Sequence, residues 1–199
     1  MVIQYAGFSY YEKMPFIIPE NWMWCRFGDI CEIARGGSPR PIQDYITTQD
    51  TGVNWIKIGD TEQGGKYITT VSEKIIPEGI SHSRFVHAGD FLLTNSMSFG
   101  RPYILKVDGC IHDGWLVIGG VEKSFIPDYL YYLLSSEWAY QSLSRAAYGS
   151  TVKNLNSDTV KAIFLPIPPL AEQHRIAIVI KQAFAKLDEI AESLNQNSR

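Results

Sequence analysis

Prolines at 166, 168 and 169, followed by a stretch without proline or glycine to the last residue, constrain this chain more than any other feature. Proline cannot occupy a helix interior, so these residues fix where a helix begins. From Ile176 the large apolar positions step four, three, four, three, four: Ile176, Ile180, Ala183, Leu187, Ile190 and Leu194. That is a heptad seam, narrower than the broad stripe of a helix that packs on a core. At about 1.5 Å per residue, Ala171 to Leu194 predicts a rod of roughly 36 Å. Arg175, Lys181 and Lys186 alternate with Glu172, Asp188, Glu189 and Glu192, which predicts a solvated outer face. A repeat this strict predicts a partner helix. The alternative is a helix that packs only on its own domain.

The preceding residues carry a different period. Val53-Asn-Trp-Ile-Lys-Ile58 alternates like a strand, and Phe91–Thr94, Tyr103–Val107 and Trp115–Ile118 follow as apolar, β-rich runs separated by glycine. Pro127-Asp128 opens a helix with Leu130, Leu133, Leu134 and Trp138 at helical spacing, and a second helix reaches Ala147 before Gly149. Ile163–Ile167 returns as an extended segment. A β-rich middle followed by helices predicts an α+β fold, not a doubly wound sheet. The five tryptophans (22, 24, 55, 115, 138) are expected in the core.

Several functional classes are excluded or disfavoured. No Asp-x-Lys or Glu-x-Lys nuclease pair, phosphate-binding loop or glycine-rich cofactor loop occurs, and Pro168-Pro169 lacks the polar neighbours of an amino-methylating loop. The histidines (82, 87, 112, 174) form no i, i+4 metal pair. No active site, metal or cofactor is expected. Three cysteines (25, 31, 110) without C-x-x-C spacing read as buried free thiols. No apolar run approaches the roughly 20 residues of a membrane span, and Met1–Tyr5 lacks a basic signal region, so a cytoplasmic chain is expected. The net charge of −3 counts against indiscriminate binding to a polyanion. From Arg35 to Asp108, eight basic residues meet eight acidic ones, so any such affinity depends on local clustering.

Four stretches are candidates for that clustering. Arg35-Gly36-Gly37-Ser38-Pro39-Arg40 places two glycines, whose N–H groups can meet phosphate oxygens, between arginines. The alternative is a surface turn. Ser96, Ser98 and Arg101 combine small donors with the side chain best suited to guanine's major-groove edge; alternatively the serines cap a turn and Arg101 pairs with Asp90 or Asp113. Lys57 and Asp60 read as a solvated strand face or part of a reading surface. Ser150, Thr151 and Lys153 suit phosphate contacts, or a helix C-terminal connector.

These phrases also carry a resemblance. Leu165–Ile176 is similar to the junction where a target-recognition domain meets a conserved helix in the specificity subunit of type I restriction-modification enzymes. Ile18-Pro-Glu-Asn-Trp-Met-Trp24, Phe27–Ile30, Arg35–Pro39, Trp55–Asp60, Gly89–Leu93, Ser96–Arg101 and Gly149–Leu155 extend it in order from about Phe16 to Leu194. The resemblance implies a recognition domain over 1–168 and a spacer or dimerisation helix over 169–199. It further implies a non-catalytic subunit that reads half of a bipartite double-stranded DNA site. Its partners would be methyltransferase subunits, restriction subunits through them, and a second copy or second specificity half. One domain with one helix implies a half-subunit, a truncated product or an excised piece. The rival reading is a glycan- or peptide-binding module that oligomerises through its helix, which the acidic net charge favours.

Overall fold

The computed structural model describes residues 14, 16–62, 64–95, 98–147 and 154–197, so the candidates Ser96, Ser150, Thr151 and Lys153 lie outside the described residues. In chain order the elements are β1 (Met23–Arg26), α1 (Phe27–Ile30), β2 (Glu32–Arg35), β3 (Ile46–Thr47), β4 (Val53–Ile56), β5 (Tyr67–Ile68), β6 (Lys74–Ile75) and β7 (Arg84–Val86). There follow β8 (Phe91–Thr94), β9 (Pro102–Leu105), β10 (Gly109–Ile111), β11 (Trp115–Gly119), α2 (Pro127–Leu134), α3 (Glu137–Ala146), α4 (Ser157–Ala162), β12 (Phe164–Ile167) and α5 (Leu170–Asn197).

The apolar runs of β8, β9 and β11 are buried at nearly every position, so they must be covered on both faces. They form the centre of a five-stranded sheet ordered β2–β11–β8–β9–β5, antiparallel except for the β5–β9 pair. Alternate side chains separate into two cores, as the period of two requires. Leu116, Ile118, Phe91, Leu93 and Ile104 pack with Phe27, Phe125, Leu130, Leu143 and Val160, under the helices. Trp115, Val117, Leu92, Tyr103 and Leu105 pack with Ile56, Val86 and Ile111 of the second sheet, ordered β3–β6–β4–β10–β7. The Trp115 indole N–H donates to the Ile56 carbonyl at 3.2 Å, so its one polar atom is satisfied within this core. The chain is α+β, a β-rich domain followed by a long helix, as its sequence predicts.

β1 and β12 pair as an antiparallel ribbon. Beside it Phe16, Trp24 and Trp138 meet at ring-centroid distances of 5.0 to 5.7 Å. Trp24, Trp55 and Trp115 are buried, while Trp22 and Trp138 are half-buried. All three cysteines are free, but Cys25 is only half-buried, against the expectation for it. Burial, reinforced by Glu122, pushes the Cys31 thiol up to about 12.

The helix α5 begins at Leu170, directly after the proline pair. Gln173 is fully buried and makes three hydrogen bonds. It accepts from the Ile126 N–H (2.8 Å) and donates to the Ser124 and Pro168 carbonyls (3.0 Å each). Ala177 is buried, and Ile176 and Ile180 are half-buried, so the first turns belong to the domain's packing. From Lys181 to Gln196 every residue is exposed, including Leu187 (58%), Ile190 (57%) and Leu194 (62%). Phe184 stacks on Tyr132 of α2 at 6.1 Å. The sequence treats the seam as one face, whereas the structure divides it: Ile176 packs on its own domain's core and Ile180 is half-buried, and Ala183, Leu187, Ile190 and Leu194 project.

Candidate nucleic-acid interface

The register of the two sheets brings one set of loops to one edge. Leu116 lies opposite Arg35 and Trp115 opposite Thr94, so β2 and β8 end where β11 begins. Ile111 lies beside Ile56 and opposite Arg84, so β4 and β10 end, and β7 starts, on that same edge. The loops after Arg35, Ile56, Thr94 and Ile111 therefore emerge together, although their sequence separations are large.

Asp113 ties these loops together. Its carbonyl accepts from Arg35 Nε (2.9 Å) and Asn95 Nδ2 (2.7 Å). Its carboxylate accepts from Ser38 Oγ (2.9 Å) and pairs with Arg40 at 3.1 Å. Asn95 extends the network, since its own carbonyl accepts the Leu155 N–H at 2.8 Å. Burial pushes the Asp113 carboxyl up, but the Ser38 hydroxyl, His112 and Arg40 together hold it below the ordinary aspartate value. His112 is half-buried among these loops. Burial lowers its pKa, with Lys57 adding to the effect and Asp113 opposing it. The N–H groups of Ile58 (3.1 Å) and Gly114 (2.8 Å) face its two ring nitrogens, and an acceptor nitrogen requires a neutral ring.

The glycine pair has another role than the one its sequence suggests. The Gly36 N–H donates to the Trp115 carbonyl (2.9 Å) and the Gly37 N–H to the Ile111 carbonyl (3.2 Å), so neither is available to phosphate. A Cβ on Gly36 would stand 2.2 Å from the His112 carbonyl oxygen, and one on Gly37 would stand 2.8 Å from that of His82. Close approach of two backbones, not anion binding, demands glycine here.

The side chains of the loop remain outward. Arg35 is exposed, and Arg40 is 79% exposed despite its ion pair. Arg84, which the sequence did not single out, stands beside them: its Nε donates to the Arg35 carbonyl at 2.9 Å. Among the described residues neither Arg35 nor Arg84 meets a carboxylate, so two guanidinium charges are unneutralised at this edge. Lys57 is different, because its ammonium pairs with Glu73. Asp60 accepts from the Lys57 N–H (2.8 Å) and from Ser72, closing the turn after β4 instead of facing a ligand. Ser38, Arg40 and Lys57 line an open cleft of about 850 Å³ with Trp55, Ile58 and His112.

Ser98 and Arg101 fall in a separate hollow of about 620 Å³, against Tyr131, Glu137 and Tyr140 of α2 and α3. Thr94 caps the turn that carries them, donating to the Ser98 carbonyl (2.6 Å) and accepting from the Arg101 N–H (2.9 Å). Arg101 pairs with neither Asp90 nor Asp113; its guanidinium lies 5.5 Å from the Tyr103 ring centroid. Among the described residues no cluster of His, Cys, Asp and Glu suits a metal ion, and no helix is long and apolar enough to cross a membrane.

Comparison with known proteins gives this geometry a context. The model of the type I restriction modification DNA specificity domain matches residues 19–197. The EcoDI specificity subunit of Escherichia coli is 26% identical over 185 residues, which is 89% of this chain and 38% of that protein. The MjaIX specificity subunit of Methanocaldococcus jannaschii is 29% identical over 173 residues, or 82% of this chain and 38% of that protein. The HsdS subunit of Thermoanaerobacter tengcongensis superposes with a TM-score of 0.69 at 21% identity, covering 90% of this chain and 41% of that one. A chain solved in work on assembly of the type I R-M system gives 0.71 at 21% identity, covering 88% and 41%. The chain thus spans about two-fifths of the length of each of these relatives.

Proposed function

The chain belongs to the type I restriction-modification DNA specificity domain family, and from that membership we propose that it is a non-catalytic recognition module for one half of a bipartite double-stranded DNA site. The observation that carries this reading is the single loop edge on which Arg35, Arg40 and Arg84 stand, held by Asp113 and Asn95. Exposed guanidinium groups fixed by hydrogen bonds suit phosphate and guanine contacts, and their rigidity lowers the ordering cost of binding. Ser38 acts from the same loop, and Ser98 and Arg101 act from the separate hollow against α2 and α3. Ser96, Ser150, Thr151 and Lys153, which lie outside the described residues, stay candidates for DNA contact on their residue types alone.

In this proposal residues 1–168 read DNA and 169–199 set position. The projecting seam of Ala183, Leu187, Ile190 and Leu194 pairs with the same seam of a second copy or of another specificity half. The paired assembly directs methyltransferase subunits, and restriction subunits through them, to the site from the cytoplasm. Two copies related by a two-fold axis would read a repeated half-site.

The test is fluorescence anisotropy of labelled duplex DNA over a salt series, with the chain alone and with methyltransferase subunits. Binding that weakens with salt, with a slope reduced by about one for each arginine removed, supports the proposal. Failure to bind duplex even with the methyltransferase subunits, together with retention on a glycan or peptide array, overturns it.

A further inference from the structure

The cleft beside the arginine edge has a chemistry of its own. Its walls are Pro39, Pro41, Ile42 and Ile58, and Trp55 and His112 line it as a pair of rings with centroids 6.3 Å apart. The two cations that reach it are each matched by a carboxylate, Arg40 by Asp113 and Lys57 by Glu73. A cleft with no net charge and mostly apolar walls does not select phosphate. It selects a neutral, flat group with a few hydrogen-bonding edges, and its volume of about 850 Å³ lies within the range of small-ligand sites. Immediately outside it, Arg35 and Arg84 carry the charges that no carboxylate of the described residues meets. Charge at the rim with neutrality inside matches a nucleotide whose phosphates remain outside and whose base enters.

We propose that this cleft receives one unstacked nucleobase from DNA held on the arginine edge. The inference rests on the DNA-recognition reading above and adds a site to it. Side chains along the duplex would read paired bases, while the cleft would hold a base that has left the stack, gaining contact with His112, Pro41, Ile42 and Ile58, with the buried Trp55 behind them. Base contacts with aromatic side chains are sequence-tolerant, so the cleft would favour a deformable step in the DNA over any one base identity.

Gly59 permits a direct test. It lines the cleft, its φ lies outside the left-handed region, and a Cβ built on it meets nothing within 4 Å. Gly59→Phe would therefore add bulk at the cleft's rim without a clash at Cβ, and Gly59→Ala would add almost none. The probes are a fully paired labelled duplex and the same duplex with one extrahelical thymine, titrated with the full chain by fluorescence anisotropy. The expected result is a preference of about fivefold or more for the extrahelical probe. That preference should disappear in Gly59→Phe and persist in Gly59→Ala, with paired-duplex binding unchanged in both. Equal binding of the two probes, or a preference that survives Gly59→Phe, overturns the inference while leaving the DNA-recognition reading intact. Unchanged DNA binding by Gly59→Phe with loss of methyltransferase co-sedimentation also overturns it, and assigns the cleft to a protein side chain. Binding of neither probe overturns both readings.

Discussion

The loop edge and the projecting half of α5 are opposites. At the edge, residues of two distant stretches, Arg35 to Arg40 and Asn95, are held by hydrogen bonds to one aspartate, and the backbone N–H groups of the glycine pair are satisfied inside the protein. Beyond Lys181 the helix is exposed on every side, and its apolar seam meets little of its own chain. The first region is complete in itself and offers charge to a ligand. The second is incomplete, because an isolated helix of this length is marginal in water and gains most of its stability from packing. The one surface satisfies its polar groups within the protein, and the other leaves large apolar side chains exposed to water.

This contrast can be broken from either side. Gly36→Ala should have the largest effect, about 3 kcal/mol off the unfolding free energy in a denaturant melt, because its Cβ would meet backbone oxygens of His112 and Ile111 at 2.2 and 2.9 Å. Leu187→Glu with Ile190→Glu should raise the dissociation constant of a helix-paired dimer by about a hundredfold in sedimentation. Monomer stability should stay within about 0.5 kcal/mol, since both side chains are exposed. A wild-type monomer at high micromolar concentration would mean that the seam awaits a different chain. Gln173→Ala should cost about 2 kcal/mol in the same melt, because it leaves the Ile126 N–H without its acceptor. Arg84→Ala should lower the salt slope of DNA binding by about one without altering the melt. Smallest is the effect of Asp113→Asn. The folded-state carboxyl lies below its ordinary value, so its contribution is present above about pH 4 and fades as pH falls through the folded value. The variant should therefore lose less stability than the wild type between neutral pH and pH 3, read as the shift in unfolding midpoint.

The helix was the most legible part of the sequence. Three prolines set its start, and of the six heptad positions the four from Ala183 onward project while Ile176 and Ile180 do not. The strands β8 and β11 were also legible, because their apolar runs match their spans closely. Local period could not show that β11 feeds two cores, since its residues are apolar on both faces. The site was legible by residue type more than by role. Arg35, Ser38 and Arg40 converge as their spacing suggests, but the glycines between them serve backbone packing and Lys57 is held by Glu73. Arg84 and Asp113 were missed because their significance lies in strand register: 49 residues separate Arg84 from Arg35, and 75 separate Asp113 from Ser38. Nothing local marks either as part of one edge.

Gln173 gives the union of domain and helix a mechanical character. A joint between a rod and a body can swivel when only greasy contacts hold it, since such contacts slide at little cost. Here a buried carboxamide grips the chain at Ser124, Ile126 and Pro168, and any change of angle must first break directional bonds. The joint behaves as a weld. Turning the base of the rod against the body would therefore break hydrogen bonds to three separate backbone groups at once, so the angle at which the helix leaves the domain is set by polar geometry as well as by apolar fit.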